Sequence, residues 1–147
     1  MSKIIENLWL GSVDFIHDFD FLKENKITHV VSIIERKIST AAIVYNNITQ
    51  LHISLSDDEN ELIGNYLQEC VEFIKTALES GGAVYVHCFA GISRSPTIVA
   101  AYLITSMRIS ANNALEIIRK ERPESDPNSG FRAALEAWAV TPASIAI

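Results

Sequence analysis

Apolar positions along this chain switch between a two-residue and a three-to-four-residue period, which outlines alternating strands and helices. Ile4–Leu10 is a short apolar segment ending at Gly11 and reads as an edge strand pair. Asp14–Glu24 places Phe15, Phe19 and Leu22 at helical spacing. Thr28–Ile34 is a β-branched run suited to a buried strand. Glu35–Gln50 is irregular, and Leu51–Leu55 reads as the next strand. Glu61–Leu78 carries Ile63, Leu67, Cys70, Val71, Ile74 and Leu78 on one helical stripe, closed by Gly81 and Gly82. Ala83–His87 is a further short strand. Ser95–Met107 is apolar nearly all round and predicts a buried central helix. Ser110 is placed to cap Ala111–Glu121, which Pro123 ends, and Asn128 to cap a last helix through Trp138. The expected fold class is α/β, with a small, mostly parallel sheet of about five strands flanked by helices.

Length and charge narrow this picture. The 147 residues suit one domain, 1–147, with no repeat and no Pro-, Gly- or Ser-rich linker to divide it. A formal charge of −6 argues against broad nucleic-acid binding and against an anionic membrane surface. No apolar run is long enough to span a bilayer, and the start, Met-Ser-Lys, has neither a signal-peptide core nor the Met-Gly of myristoylation. Two cysteines, Cys70 and Cys88, are too few for a disulfide framework, so the expected location is the reducing cytoplasm or nucleus. No role is assigned to the apolar tail Thr141–Ile147.

Candidate chemistry gathers at the end of strand Ala83–His87. There His87-Cys88-Phe89-Ala90-Gly91-Ile92-Ser93-Arg94-Ser95 runs from strand through a Gly-containing loop into a helix. Such a loop turns successive backbone N–H groups toward one point, and the helix N-terminus adds partial positive charge. Phe89, Ala90, Gly91, Ile92, Ser93 and Arg94 are the expected phosphate-binding residues. Arg94 contributes a planar fork matched to two phosphate oxygens. The same positive field favours the thiolate of Cys88, a nucleophile aimed at phosphorus.

The segment HCFAGISRSPT resembles the signature loop of the cysteine-dependent protein phosphatases, specifically the dual-specificity branch. The resemblance covers nearly the whole chain: Asn7–Gly11 is similar to that branch's opening segment, Ile53–Asp57 to its acid-bearing strand end, Ala101–Leu103 to the helix after the signature, and Pro127–Phe131 to the start of its final helix. An Asn common after the acid loop is missing around Leu62, and Ala134 stands where Gln is frequent. The resemblance implies a protein-tyrosine-phosphatase-like fold. It also implies a phosphatase that hydrolyses phosphotyrosine and phosphoserine or phosphothreonine in proteins through a phospho-cysteine.

A poor leaving oxygen needs a proton donor. Asp57 matches the family's general acid by position, with adjacent Asp58 as the rival; both would otherwise serve the dipole of a following helix. By resemblance, Ser95 helps the Cys88 thiolate leave, while its plain alternative is helix capping. His87 is expected to support the loop by hydrogen bonding rather than to act as a base. Cys70 is expected in the core, with a disulfide to Cys88 as the alternative. Glu35-Arg36-Lys37 borders the pocket or is solvated surface. His17, His29 and His52 share no ligand spacing, so neither a metal nor another cofactor is expected. The expected partner is a phosphorylated protein, acted on by a monomer. The alternatives are a phosphoinositide or RNA 5′-phosphatase of the same superfamily and a phosphate-binding adaptor. The loop interior Phe-Ala-Gly-Ile-Ser, without Lys or His, favours phosphoprotein.

Overall fold

Five strands and seven helices alternate along the chain in a computed structural model that describes residues 1–146, with side chains through Ser144. The strands are β1 (Ser2–Ile5), β2 (Leu8–Gly11), β3 (His29–Ile33), β4 (Thr49–Ile53) and β5 (Val84–His87). The helices are α1 (Phe19–Glu24), α2 (Ala41–Tyr45), α3 (Leu67–Glu79), α4 (Arg94–Met107), α5 (Ala111–Glu121), α6 (Ser129–Ala139) and α7 (Pro142–Ala146). The last of these lies in the apolar tail, of which Ile147 is outside the described residues. Strand order is β1-β2-β5-β3-β4. Only β1 runs antiparallel; β5 pairs in parallel with β2 and β3, so Gly11 and Ser32 both stand opposite His87. The mostly parallel α/β sheet expected from the sequence is therefore present, and its central strand ends where the signature loop begins.

Period-two alternation divides the core. Val84 and Val86 face the larger cluster, built with α3, α4, α5 and α6, while Tyr85 faces the smaller cluster beneath α1 and α2. Residues Ile98–Ala101 are fully buried, as the all-round apolar pattern of α4 requires. This helix packs against β5, α3, α5 and α6 at once, which fixes its N-terminus beneath the sheet's C-terminal edge.

Several element boundaries differ from the pattern-based expectation. Asp14–Glu24 is not one helix: a 3₁₀ turn, Val13–His17, precedes α1, because Asp18 stays extended and its carboxylate caps Phe21 N at 2.9 Å. Helix α3 starts at Leu67, after a 3₁₀ turn at Ile63–Tyr66. Glu61, expected inside that helix, instead accepts from Ser56 Oγ at 2.9 Å. Strand β4 lies two residues earlier than expected, in register with β3. The irregular stretch holds α2, capped by Thr40 at Ile43 N. Ser110 and Asn128 cap α5 and α6 as expected.

Candidate active site

The turn from Cys88 to Ser93 spans the gap between β5 and α4, and each of its carbonyls is held by a group outside the turn's centre. Cys88 O accepts from His87 Nδ1 at 2.9 Å, and Phe89 O from Val13 N at 3.0 Å. Ala90 O and Gly91 O accept from the Arg122 guanidinium, at 3.2 Å from Nη2 and 2.8 Å from Nε. Ile92 O accepts from Asp126 N at 2.6 Å, and Ser93 O from Thr97 Oγ1 at 2.8 Å. With the carbonyls so anchored, the amide groups are left for the concave side, the geometry of an anion-binding nest. One amide shows this directly: Gly91 N donates to Cys88 Sγ at 3.2 Å. Gly91 has φ +72°, and a Cβ there would meet Gly11 C at 2.5 Å, so the loop curls this tightly only with glycine.

Cys88 Sγ is buried at the bottom of this cradle, 3.2 Å from Ser95 Oγ. A thiolate only accepts hydrogen bonds, so in that state Ser95 donates to it. The sulfur also sits by the N-terminus of the long helix α4, whose dipole favours negative charge there. Arg94, 7% exposed, fills the other side. Its Nη1 donates to the Glu35 carboxylate and to Leu55 O at 2.9 Å, whereas its buried Nε has no protein partner. One edge of the fork is thus held in place and the other is free for an oxyanion. The Arg94 hydrogen bond holds the Glu35 carboxyl below the usual carboxylate range.

Asp57 and Asp58 have different surroundings. Asp58 Oδ1 caps its own loop, accepting from Asn60 N at 2.7 Å. Asp57 Oδ1 accepts from Asn128 Nδ2 at 2.9 Å. Asn128 in turn donates its backbone N–H to Ser93 Oγ at 3.0 Å, tying the acid loop to the cradle through the first turn of α6. Ser129 donates to Glu59 Oε2 at 2.7 Å, and a Cβ on Gly130 would lie 1.9 Å from Glu59 O. Only glycine lets this backbone come so close.

His87 is fully buried and spends both ring nitrogens on structure. Because Cys88 O can only accept, Nδ1 carries the proton, and Nε2 accepts from Ser32 Oγ at 2.6 Å. Ser32 accepts in turn from Gln50 Nε2 at 2.8 Å. Burial lowers the His87 pKa from 6.5 to about 4. Between these values the unfolded chain binds the proton that the folded one refuses, so this histidine makes stability fall as pH drops through that window. The full loss is about 3 kcal/mol. Urea unfolding of wild type and His87→Gln across pH 7 to 4 checks it: the wild type should show the steeper decline, and parallel slopes would exclude the effect.

Arg122 escaped the sequence reading. It lies beside Pro123 at the end of α5, four residues after buried Ile118 and so on the buried stripe, but a charged side chain at a helix end reads from sequence as solvated. Arg122→Lys keeps the charge but loses the paired contacts to Ala90 and Gly91. A fall of about 10–100-fold in kcat/KM is expected, equal for good and poor leaving groups and accompanied by weaker inhibition by inorganic phosphate. Ser32 had a legible signal, as a polar residue set between Val30, Val31, Ile33 and Ile34. Asn128 was readable only as a cap, and Glu35 only as a neighbour of the pocket.

Both cysteines are free; Cys70 sits in the main core, where burial pushes its thiol up to about 12. No cluster of three or more metal-ligating side chains occurs among the described residues. Nor is any described helix long and apolar enough to cross a membrane.

Comparison with known proteins places this geometry in context. The family model for the dual specificity phosphatase catalytic domain matches residues 8–141. Dual specificity protein phosphatase 15 of Mus musculus is 43% identical over 95% of this chain, which spans 58% of that protein. Dual specificity protein phosphatase 1B of Arabidopsis thaliana is 37% identical over 94% of this chain and 81% of its own. A crystal structure of DUSP15 superposes with a TM-score of 0.91 at 38% identity, covering 97% of this chain and 89% of that one. The chain thus spans a little over half the length of the mouse relative.

Proposed function

Because the chain belongs to the dual specificity phosphatase family, we propose that it hydrolyses phosphotyrosine and phosphoserine or phosphothreonine in proteins through a phospho-cysteine, with 1–147 as one catalytic domain. The observation that carries this reading is the cradle itself, with its carbonyls anchored and Cys88 Sγ at its base beside Arg94. In the first step the Cys88 thiolate attacks phosphorus and the bond to the leaving oxygen breaks. Asp57 gives that oxygen its proton, while the cradle amides and the free edge of Arg94 hold the phosphoryl oxygens. In the second step water attacks the phospho-cysteine and Asp57 takes up its proton. The S–P bond then breaks, with the Ser95 hydroxyl donating to the departing thiolate. His87 keeps the loop in shape and takes no proton.

The protein works as a monomer in a reducing compartment such as the cytoplasm, without nucleic acid, membrane, metal or cofactor. The absence of Lys or His between Cys88 and Arg94 favours a phosphoprotein over a phosphoinositide or RNA 5′-phosphate. A panel of phosphotyrosine and phosphothreonine peptides, phosphoinositide vesicles and 5′-triphosphate RNA tests the assignment. Turnover is expected on the peptides. Turnover confined to the lipid or the RNA would overturn it.

A further inference from the structure

Beside the phosphate cradle lies a second concavity of about 520 Å³, lined by Ile34, Glu35, Arg36, Ile38, Phe89 and Arg94. The two share Phe89 and Arg94, so the cleft lies within reach of groups adjacent to a phosphate seated in the cradle. Its floor is apolar: Ile34 is buried, and half-buried Ile38 packs on the smaller core. Its wall is Phe89, a residue left 64% exposed although its backbone carbonyl is anchored by Val13. A large aromatic ring kept in water on a rigid loop is an informative exposure, because it leaves apolar area for a ligand to cover. The Glu35 carboxylate at the mouth is already matched by Arg94, so it adds no demand for a basic group. The aliphatic stem of Arg36 extends the lining.

Resting on the phosphoprotein reading above, we infer that this cleft is a specificity subsite for a large apolar side chain, leucine or phenylalanine, immediately flanking the phosphorylated residue of a protein substrate. The cradle recognises only the phosphoryl group, which every phosphopeptide offers equally. Discrimination among peptides therefore has to come from neighbouring surface, and here that surface is the Ile34–Ile38–Phe89 cleft.

The test is a phosphopeptide series identical except for Leu, Phe, Ala or Asp on one side, then the other, of the phosphorylated residue. Each peptide is assayed with wild type and Ile38→Ser, with para-nitrophenyl phosphate as the small substrate. For wild type, kcat/KM with Leu or Phe at one flank should exceed that with Ala by about tenfold. Ile38→Ser should remove most of this gain and leave the small substrate within about twofold. Equal rates across the wild-type series would overturn the subsite while leaving the phosphatase reading intact, and that result needs no variant to fold. An equal loss on para-nitrophenyl phosphate would place the substrate's own ring in the cleft and also overturn it. If wild type turned over phosphoinositide vesicles and no peptide, the phosphoprotein premise would fail, and the subsite with it.

Discussion

Cys88→Ser is expected to lose on the order of 10⁴-fold or more in kcat while still binding phosphate. The substitution keeps the side chain's size at the bottom of the cradle, where Ser95 Oγ and Gly91 N surround the sulfur at 3.2 Å each. It replaces the nucleophilic sulfur with a hydroxyl oxygen, a weaker nucleophile, and no base stands ready to activate that hydroxyl. His87, the nearest candidate in sequence, has both ring nitrogens committed to Cys88 O and Ser32. Arg94→Lys should lose about 10²–10³-fold for a different reason. The guanidinium uses Nη1 to hold Glu35 and Leu55 O and leaves Nε for the substrate; an ammonium cannot do both. Steady-state rates with inorganic phosphate as a competitive inhibitor separate the two variants. The serine variant should keep phosphate affinity and the lysine variant should lose it. Normal turnover by Cys88→Ser would refute covalent catalysis.

Asp57→Asn should lose about 10²–10⁴-fold on substrates with poorly leaving alcohols and far less on activated aryl phosphates. The acid's work is to protonate the leaving oxygen, so a leaving group that is already stable gains little from it. Losing a helix cap would instead cost about 1 kcal/mol and act on all substrates alike. Asp58→Asn is expected within a few-fold of wild type on every substrate, since Asp58 Oδ1 serves its own loop at Asn60 N. The comparison is a plot of log kcat/KM against leaving-group pKa for the three proteins. A steep slope for Asp58→Asn and a shallow one for Asp57→Asn would reverse the assignment of the acid.

Much of this site is legible in the sequence, because short-range chemistry is written locally. The loop from Cys88 to Arg94 follows a buried strand and leads into a helix, and those neighbours are adjacent in the chain. The caps Ser110 and Asn128 were readable for the same reason. What stayed hidden depends on contacts between distant segments. Arg122 reaches the loop only because α5 packs against α4, and Glu35 meets Arg94 only because β3 lies beside β5 in the sheet. The helix expected over Asp14–Glu24 failed where a polar side chain competes for backbone N–H groups, since Asp18 fits the helical period yet caps instead. The strand over Leu51–Leu55 was shifted because apolar composition marks a buried segment, whereas the partner strand sets which residues pair. Leu55 is buried beyond β4, with its carbonyl turned to Arg94.

The most direct test of a phospho-cysteine mechanism is to catch the intermediate. Asp57→Asn, in which water attack is slowed by loss of the base, would be mixed with an activated aryl phosphate, quenched in acid, and its peptides mapped by mass spectrometry. One phosphoryl group on Cys88, absent from Cys88→Ser treated alike, is the result expected. A phosphoryl group on any other residue, or none at all while product accumulates in a burst, would contradict it.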